Sequence, residues 1–132
     1  MYKFFKILIL LLFNFVFIHT LTFSLEEKIK IGLLVPLTGE DKEIGNQIVQ
    51  STRIALKDIN SLKIEIYPKD TASDPDKTLK SAIELKKDGV QIVIGPVFYK
   101  NLINLNNVDD LIFVSLTNKT LNLPKNVISG GV

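Results

Sequence analysis

Residues 28–38 read KIKIGLLVPLT, and this stretch decides the fold class of the chain. Charged and apolar side chains alternate at first, and the sequence is then continuously apolar from residue 31 to residue 37. Such a run is typical of a strand in a parallel sheet that is covered on both faces. Pro36 and Gly39 end the strand. Apolar residues three and four apart then predict an amphipathic helix over residues 40–60.

Further strands and helices alternate along the rest of the chain. Strands are predicted at residues 63–68, 90–94 and 111–116, and another begins at 127–128. The best-marked helix is predicted at residues 74–88, because Asp74-Pro75 suits an N-cap and first helical residue and Gly89 follows its end. A weaker helical pattern covers residues 100–107. The order βαβαβαββ predicts an α/β fold with a mostly parallel sheet and helices on both faces.

The first 24 residues differ sharply from the rest. Lys3 and Lys6 precede an apolar run that ends at Ile18, and a more polar stretch with small residues follows as far as Ser24. This pattern predicts a secretory signal peptide over residues 1–24, cleaved near Ser24, and a domain over residues 25–132. An uncleaved membrane anchor is the alternative, but the apolar core is about a dozen residues long and a membrane-spanning helix needs roughly 20. We therefore predict a periplasmic or secreted protein.

Composition excludes several classes of function. Without Lys3 and Lys6 the chain has 14 basic and 14 acidic residues, and this neutral balance gives no support to a nucleic-acid partner. There is no cysteine, and the single histidine, His19, lies in the predicted signal peptide. Ser-His-Asp and Cys-His catalysis and the usual zinc sites are therefore excluded from the predicted domain. We predict a non-enzymatic protein with no metal and no cofactor.

Candidate ligand-binding residues lie in loops after three of the predicted strands. In an open parallel α/β sheet, ligands bind beyond the carboxyl ends of the strands. The candidates offer a glycine for close backbone approach, aromatic rings for an apolar wall, and hydroxyl and amide groups that orient a ligand. They are Thr38, Gly39, Val97, Phe98, Tyr99, Ser115, Thr117 and Asn118. Turn formation, core packing and helix capping are the ordinary structural alternatives. Asp70 is interpreted as a loop acid and Asp74 as a helix cap.

Three segments resemble the type I periplasmic binding proteins of the leucine-binding kind. They are IKIGLLVPLTGE (residues 29–40), IGNQIVQSTRIAL (44–56) and YPKDTASDPDKTLKSAIELKKDGVQIVIGPV (67–97). The resemblance covers almost all of residues 29–132. It implies a two-lobed, non-catalytic protein that holds a small molecule, such as an amino acid, in the cleft between its lobes and delivers it to the permease of an ABC transporter. This chain would hold the N-terminal lobe alone, as a truncated fragment.

The resemblance also carries expectations about the site. In the transport receptors, a hydroxyl residue after the Gly-Pro turn and a Ser/Thr after the fourth strand hold the amino acid's carboxylate. Tyr99 and the loop 115–118 take these positions here, and Leu116 and Asn118 replace the usual small residues. Because half of the cleft is absent, the lone lobe is expected to bind amino acids weakly at most. It is also expected to expose apolar surface, which favours association.

A second branch of the family is the alternative. The segments IVIGPVF (residues 92–98) and SLTNK (115–119) are similar to the penicillin-binding protein activators, which regulate cell-wall synthases. A protein of this branch would have a cell-wall synthase as its partner. Many such activators are lipoproteins, whereas this chain has no cysteine for lipid attachment.

Overall fold

The computed structural model describes residues 1–3, 6, 28–59, 63–119 and 122–130. Its strands are β1 (Ile29–Val35), β2 (Ile64–Asp70), β3 (Ile92–Ile94), β4 (Ile112–Ser115) and β5 (Val127–Ser129), and its helices are α1 (Lys42–Ile59) and α2 (Pro75–Lys87). The strands form one sheet in the order β2-β1-β3-β4-β5, and every neighbouring pair is parallel. The predicted α/β fold is confirmed. The predicted signal peptide lies outside the described residues, apart from residues 1–3 and 6.

The two α-helices lie on opposite faces of the sheet. The chain moves from β1 to β2 in one direction and from β2 past β1 to β3 in the other. Right-handed crossovers in opposite directions place their helices on opposite faces. Accordingly, a Cβ on Gly32 would lie 2.7 Å from Leu85 of α2. A Cβ on Gly45 of α1 would lie 1.7 Å from the Pro36 carbonyl oxygen, so α1 begins in direct contact with the chain leaving β1.

Helix α2 begins and ends as the sequence predicts. The Asp74 side chain accepts a hydrogen bond from the Lys77 amide at 2.7 Å, and Pro75 is the first helical residue. Gly89 follows the helix with a positive φ of 79°. The face of α2 that packs on the sheet contributes to a core that also includes residues of β1, β3, β4 and the segment between the last two. Its fully buried members include Leu34, Ala82, Leu85, Val93, Leu102, Leu105 and Phe113.

The α1 side of the sheet is only partly covered. Alternate residues of four strands present isoleucines to this face, and they remain between 41% and 59% exposed: Ile29, Ile92, Ile112 and Ile128. We call this surface the isoleucine face. Helix α1 leaves its own Ile44 and Ile59 exposed, at 41% and 62%, and Gly45 is its buried residue. The apolar stripe predicted for this helix therefore lies largely outside the contact with the sheet.

The third predicted helix is not an α-helix. The weak pattern at residues 100–107 corresponds to two short 3-10 turns, Tyr99–Leu102 and Leu105–Asn107. Asn101, Leu102 and Leu105 are buried, so the segment still covers the sheet without forming an α-helix. Of the helices in the described residues, neither α1 nor α2 combines the length and apolar character needed to cross a membrane.

Candidate functional site

The strand order creates one topological switch point, between β1 and β3. The chain leaves β1 toward β2 on one side and leaves β3 toward β4 on the other. In doubly wound sheets of order 2-1-3-4-5, the crevice outside the carboxyl ends of these two strands is where ligands bind. We call the surface formed by the loops 36–41, 71–74, 95–99 and 116–119 the carboxyl edge. The candidate residues Thr38, Gly39, Val97, Phe98 and Tyr99 belong to the two loops that flank the switch point.

The loop after β1 is held by the carboxylate of Asp70, the last residue of β2. Oδ1 accepts hydrogen bonds from the Leu37 amide at 2.7 Å and from the Thr38 amide at 3.2 Å. Oδ2 accepts from the Thr38 hydroxyl at 2.6 Å and from the Lys77 ammonium at 2.5 Å. The Ala72 amide also donates to Oδ1, at 2.9 Å. One carboxylate therefore fixes the β1 loop against the β2 loop.

The environment of Asp70 strongly favours its ionised form. Burial of the carboxyl raises its pKa, but hydrogen bonds from Lys77, Thr38 and the backbone amides of Ala72 and Leu37 outweigh this effect. The pKa of Asp70 is therefore held well below its ordinary value, since each of these donors stabilises the charged form. The interpretation of Asp70 as a loop acid understated its role, because the sequence does not show that its partners converge.

The loop after β2 contains two residues in an unusual backbone conformation. Ala72 and Ser73 have positive φ angles of 45° and 56°, in the left-handed region that residues with a Cβ rarely adopt. The turn is closed by a hydrogen bond of 2.8 Å from the Asp74 amide to the Thr71 carbonyl. The Ser73 hydroxyl donates to Asp41 at 2.6 Å, which ties the turn to the start of α1. This side of the carboxyl edge is held by carboxylates.

The loop after β3 begins with a close backbone contact. A Cβ on Gly95 would lie 2.2 Å from the Leu34 carbonyl oxygen, and Gly95 has a φ of 106°. Only glycine fits this position without displacing β1. The Gly95-Pro96 peptide bond is cis. The turn directs Val97, Phe98 and Tyr99, each half-buried, into the carboxyl edge.

The hydroxyl groups of the fourth strand and its loop are engaged in internal hydrogen bonds. The Ser115 hydroxyl donates to the Pro96 carbonyl at 3.0 Å and accepts from the Thr117 amide at 3.3 Å. The Thr117 hydroxyl accepts from the Lys119 amide at 3.3 Å. Ser115 is 0% and Thr117 is 7% exposed, so both lie beneath the surface of the edge. The Ser115 hydroxyl joins the β3 and β4 loops, whereas the Thr117 hydroxyl bonds within the β4 loop. Ligand contact by Ser115 and Thr117 stays a prediction.

A cation lies over one of the predicted aromatic residues. The Lys119 ammonium lies 3.7 Å from the centroid of the Tyr99 ring, which is within the range of a cation–π interaction. Both side chains belong to the carboxyl edge, on the β3–β4 side. Lys119 was not among the predicted site residues. The only sequence signal for it was its place one residue after Asn118, since a cation–π pair between two loops leaves no local pattern.

The structure therefore divides the eight candidates into two groups. Six are at least partly exposed at the carboxyl edge: Thr38, Gly39, Val97, Phe98, Tyr99 and Asn118. Ser115 and Thr117 lie beneath this surface and support it. Whether the six exposed residues bind a ligand remains a prediction. Within the described part of the chain, no cluster of three or more His, Cys, Asp or Glu side chains could hold a metal ion.

Comparisons with known proteins agree on one family. The family model described as "Periplasmic binding protein" matches residues 28–123. A Leu/Ile/Val-binding protein of Rhizobium johnstonii is 32% identical over 75 residues, which cover 52% of this chain and 20% of that protein. The chain thus spans about a fifth of the length of this relative.

Solved structures add two kinds of neighbour. A solute-binding protein of an ABC transporter from Rhodopseudomonas palustris, in complex with 3,4-dihydroxybenzoic acid, matches with a TM-score of 0.63 and 26% identity, over 68% of this chain and 27% of that one. The C-domain of LpoA from Haemophilus influenzae, a regulator of PBP1A, also matches with a TM-score of 0.63, at 23% identity, over 78% of this chain and 32% of that one. The second likeness concerns the fold alone.

Proposed function

The chain belongs to the periplasmic binding protein family, and from this premise we propose that it forms the N-terminal lobe of a non-catalytic small-molecule-binding protein. The observation that carries the proposal is the switch point between β1 and β3, with its two loops fixed from below by Asp70 and by the Gly95–Leu34 contact. Exposed side chains of these loops form one wall of the ligand cleft. The ligand is an amino acid or another small carboxylic acid, delivered to a membrane permease.

The arrangement suits binding in a cleft. The carboxylate of Asp70 is committed to five hydrogen bonds, and the hydroxyls of Ser115 and Thr117 are engaged internally. The edge presents half-buried aromatic rings together with exposed hydroxyl, amide and backbone groups, which recognise a ligand by shape and hydrogen bonding, and it also exposes the charged side chains of Glu40, Asp74 and Lys119. One wall of a cleft buries less of a ligand than two walls, so we expect dissociation constants of about 1 mM or weaker for the lobe, roughly −4 kcal/mol of binding free energy.

Chemical-shift titration of the ¹⁵N-labelled full chain tests this proposal. Millimolar L-leucine and 3,4-dihydroxybenzoate are added separately, and the amide signals of residues 38–39 and 97–99 are followed. The expected result is a saturable shift in these loops with either ligand, while signals of the opposite edge, such as Lys30 and Gln91, stay unchanged. Uniform small shifts across both edges would contradict a site at the switch point.

A second candidate function is regulation of a cell-wall synthase. It is favoured by the burial of Ser115 and Thr117, which takes the hydroxyls of the loop 115–118 out of the exposed surface, where one of the two positions expected to hold an amino acid's carboxylate would lie. In this case the carboxyl edge or a neighbouring surface binds protein instead of a small molecule. A pull-down of the full chain with a purified penicillin-binding protein distinguishes the two functions. Retention of the synthase, with no loop shifts from either small molecule, would favour the regulator.

We also propose that the chain is exported, with its signal peptide removed near Ser24. The support is the basic and then apolar N-terminal pattern together with the periplasmic family. Mass spectrometry of the protein recovered from the periplasmic fraction of an expressing cell measures the N-terminus directly. A mature chain that begins near Leu25 is expected, and an intact Met1 in the membrane fraction would contradict cleavage.

A further inference from the structure

We propose that Asn101 binds an ordered internal water molecule between helix α2 and the 3-10 turn Tyr99–Leu102. Asn101 is 1% exposed, so its side chain lies inside the lobe. Neither its Nδ2 atom nor its Oδ1 atom has a hydrogen-bond partner within the described part of the chain. The water site lies behind the turn that begins at Tyr99, and its existence does not depend on what the carboxyl edge binds.

The Asn101 amide differs from the buried hydroxyls of the lobe. The hydroxyls of Thr78, Ser81 and Ser115 each donate to a backbone carbonyl, at 2.6, 2.9 and 3.0 Å. The large majority of buried polar groups in proteins are bonded to protein or to ordered water, because burial without a partner is costly. An apolar side chain of similar size would fill position 101 without that cost. An asparagine there therefore indicates a partner that is not a protein group.

The neighbouring residues hold the Asn101 side chain inside the lobe. The Asn101 backbone amide donates to the Phe98 carbonyl at 3.0 Å, which closes the first 3-10 turn. The next residue, Leu102, is 1% exposed and belongs to the core. Three residues after Asn101, the Asn104 side chain donates to Asp76 of α2 at 3.4 Å. Asn101 cannot turn toward solvent without disturbing these contacts.

A water molecule matches the groups that Asn101 presents. The side chain offers an oxygen acceptor and two N–H donors. Because the oxygen and one N–H of a primary amide point to the same side, one water can accept from the N–H and donate to the oxygen.

Helix α2 offers a further partner to this water. Buried waters make about three hydrogen bonds, so one more is needed beyond the two to the amide. The helix packs against the first 3-10 turn and contributes two buried hydroxyl residues, Thr78 and Ser81. Their oxygens keep lone pairs after donating to the backbone, and these are the acceptors that α2 offers to the second O–H of the water.

Water-selected NOE and ROE spectra of the ¹⁵N-labelled full chain test the site. A water that tumbles with the protein gives NOE and ROE cross-relaxation rates of opposite sign, whereas mobile solvent gives rates of the same sign. We expect opposite signs at the side-chain N–H₂ group of Asn101. The N–H₂ group of Asn106, which is exposed in the same segment, should report mobile solvent only.

Water ¹⁷O relaxation dispersion then counts the long-lived internal waters of each variant. Asn101→Leu should lose one such water relative to the wild type, because the amide that holds it is gone. Asn106→Leu is the matched control, since it makes the same change at an exposed position of the segment, and its count should equal that of the wild type.

Asn126 provides a comparison within the wild-type chain. Its Nδ2 atom donates to the carbonyls of Leu105 and Val108, at 3.1 and 2.8 Å. Scalar couplings across hydrogen bonds, measured on the ¹³C,¹⁵N-labelled full chain, should therefore appear at the N–H₂ group of Asn126 and not at that of Asn101. A coupling from Asn101 to a protein carbonyl, mobile-solvent signals at its N–H₂ group, or an unchanged water count in Asn101→Leu would each overturn the assignment. The first two are measured on the wild type, so the test does not require the variant to fold.

Discussion

Replacing Asp70 with asparagine should destabilise the chain by about 3 kcal/mol at neutral pH. Asparagine keeps an oxygen for the three backbone amides but presents an N–H₂ group where Oδ2 accepted from Thr38 and Lys77. A lost hydrogen bond to a charged acceptor costs about 1.5–3 kcal/mol, which applies to the Thr38 hydroxyl. The Lys77 side chain is 44% exposed, so its ion pair contributes about 1 kcal/mol or less.

The same substitution should change how stability depends on pH. The folded pKa of Asp70 lies below its unfolded value of about 3.9, so the contribution of its carboxylate is complete above that value. It is lost as the pH falls toward the folded pKa, because the unfolded chain then binds the proton more readily. The advantage of the wild type over Asp70→Asn should therefore be constant from pH 7 to pH 5. By pH 3 it should have shrunk by about 1 kcal/mol.

Urea unfolding followed by circular dichroism measures both effects, since the chain has no tryptophan for fluorescence. Asp58→Asn is the control, because it removes the same charge from an exposed position of α1 and should change stability by less than about 0.5 kcal/mol. If Asp70→Asn matches this control at pH 7, the convergence of hydrogen bonds on Asp70 has no energetic importance. If its deficit persists undiminished at pH 3, the deficit does not come from the charge.

Three further predictions concern the rest of the fold. Asp74→Ala should lower the free energy of unfolding by about 1 kcal/mol because the N-cap hydrogen bond of α2 is lost, whereas Asp74→Asn should change it little. Equal stabilities of the two variants in urea unfolding would contradict a capping role for Asp74. Ala72→Gly should stabilise the chain by about 1 kcal/mol, because glycine adopts the positive φ of this position without strain. Ala55→Gly, at an exposed position of α1, should destabilise the chain by about as much. Changes in stability of the same sign for both variants would show that Ala72 is not strained. The double variant Ile92→Thr/Ile112→Thr should reduce the concentration-dependent self-association of the chain in analytical ultracentrifugation, because both side chains lie on the isoleucine face. Unchanged sedimentation would show that the isoleucine face is not the surface through which copies of the chain associate.

Much of the fold could be predicted because its signals are local. The apolar runs of β1 and β3 and the Asp74-Pro75 start of α2 each specify an element within a few residues. Helix α1 was predicted, but the extent of its contact with the sheet was not, because helix propensity and spacing do not show how much of a helix the sheet can reach. The two 3-10 turns were read as one helix because their buried residues, Asn101, Leu102 and Leu105, also repeat three to four residues apart.

The sequence predicted where the candidate residues lie better than it predicted what their side chains contact. Strand ends identify the carboxyl edge, and the switch point follows from strand order once the crossovers are known. The sequence could not show that Ser115 and Thr117 are buried, because a hydroxyl at or just after the end of a strand can point either toward the core or toward solvent. It also could not show that Asp70 and Lys119 act between loops, since their partners Leu37, Thr38 and Tyr99 are distant along the chain.

The hydrogen bonds that join the β3 and β4 loops have a consequence for how such a protein evolves. Pro96 accepts from both the Leu116 amide and the Ser115 hydroxyl, so the loops are joined by backbone groups and one buried side chain. Substitutions at the exposed Asn118 or the half-buried Phe98 alter the surface of the carboxyl edge without breaking these hydrogen bonds. The chemistry of this surface can therefore change by single mutations, and folding sets little barrier to them.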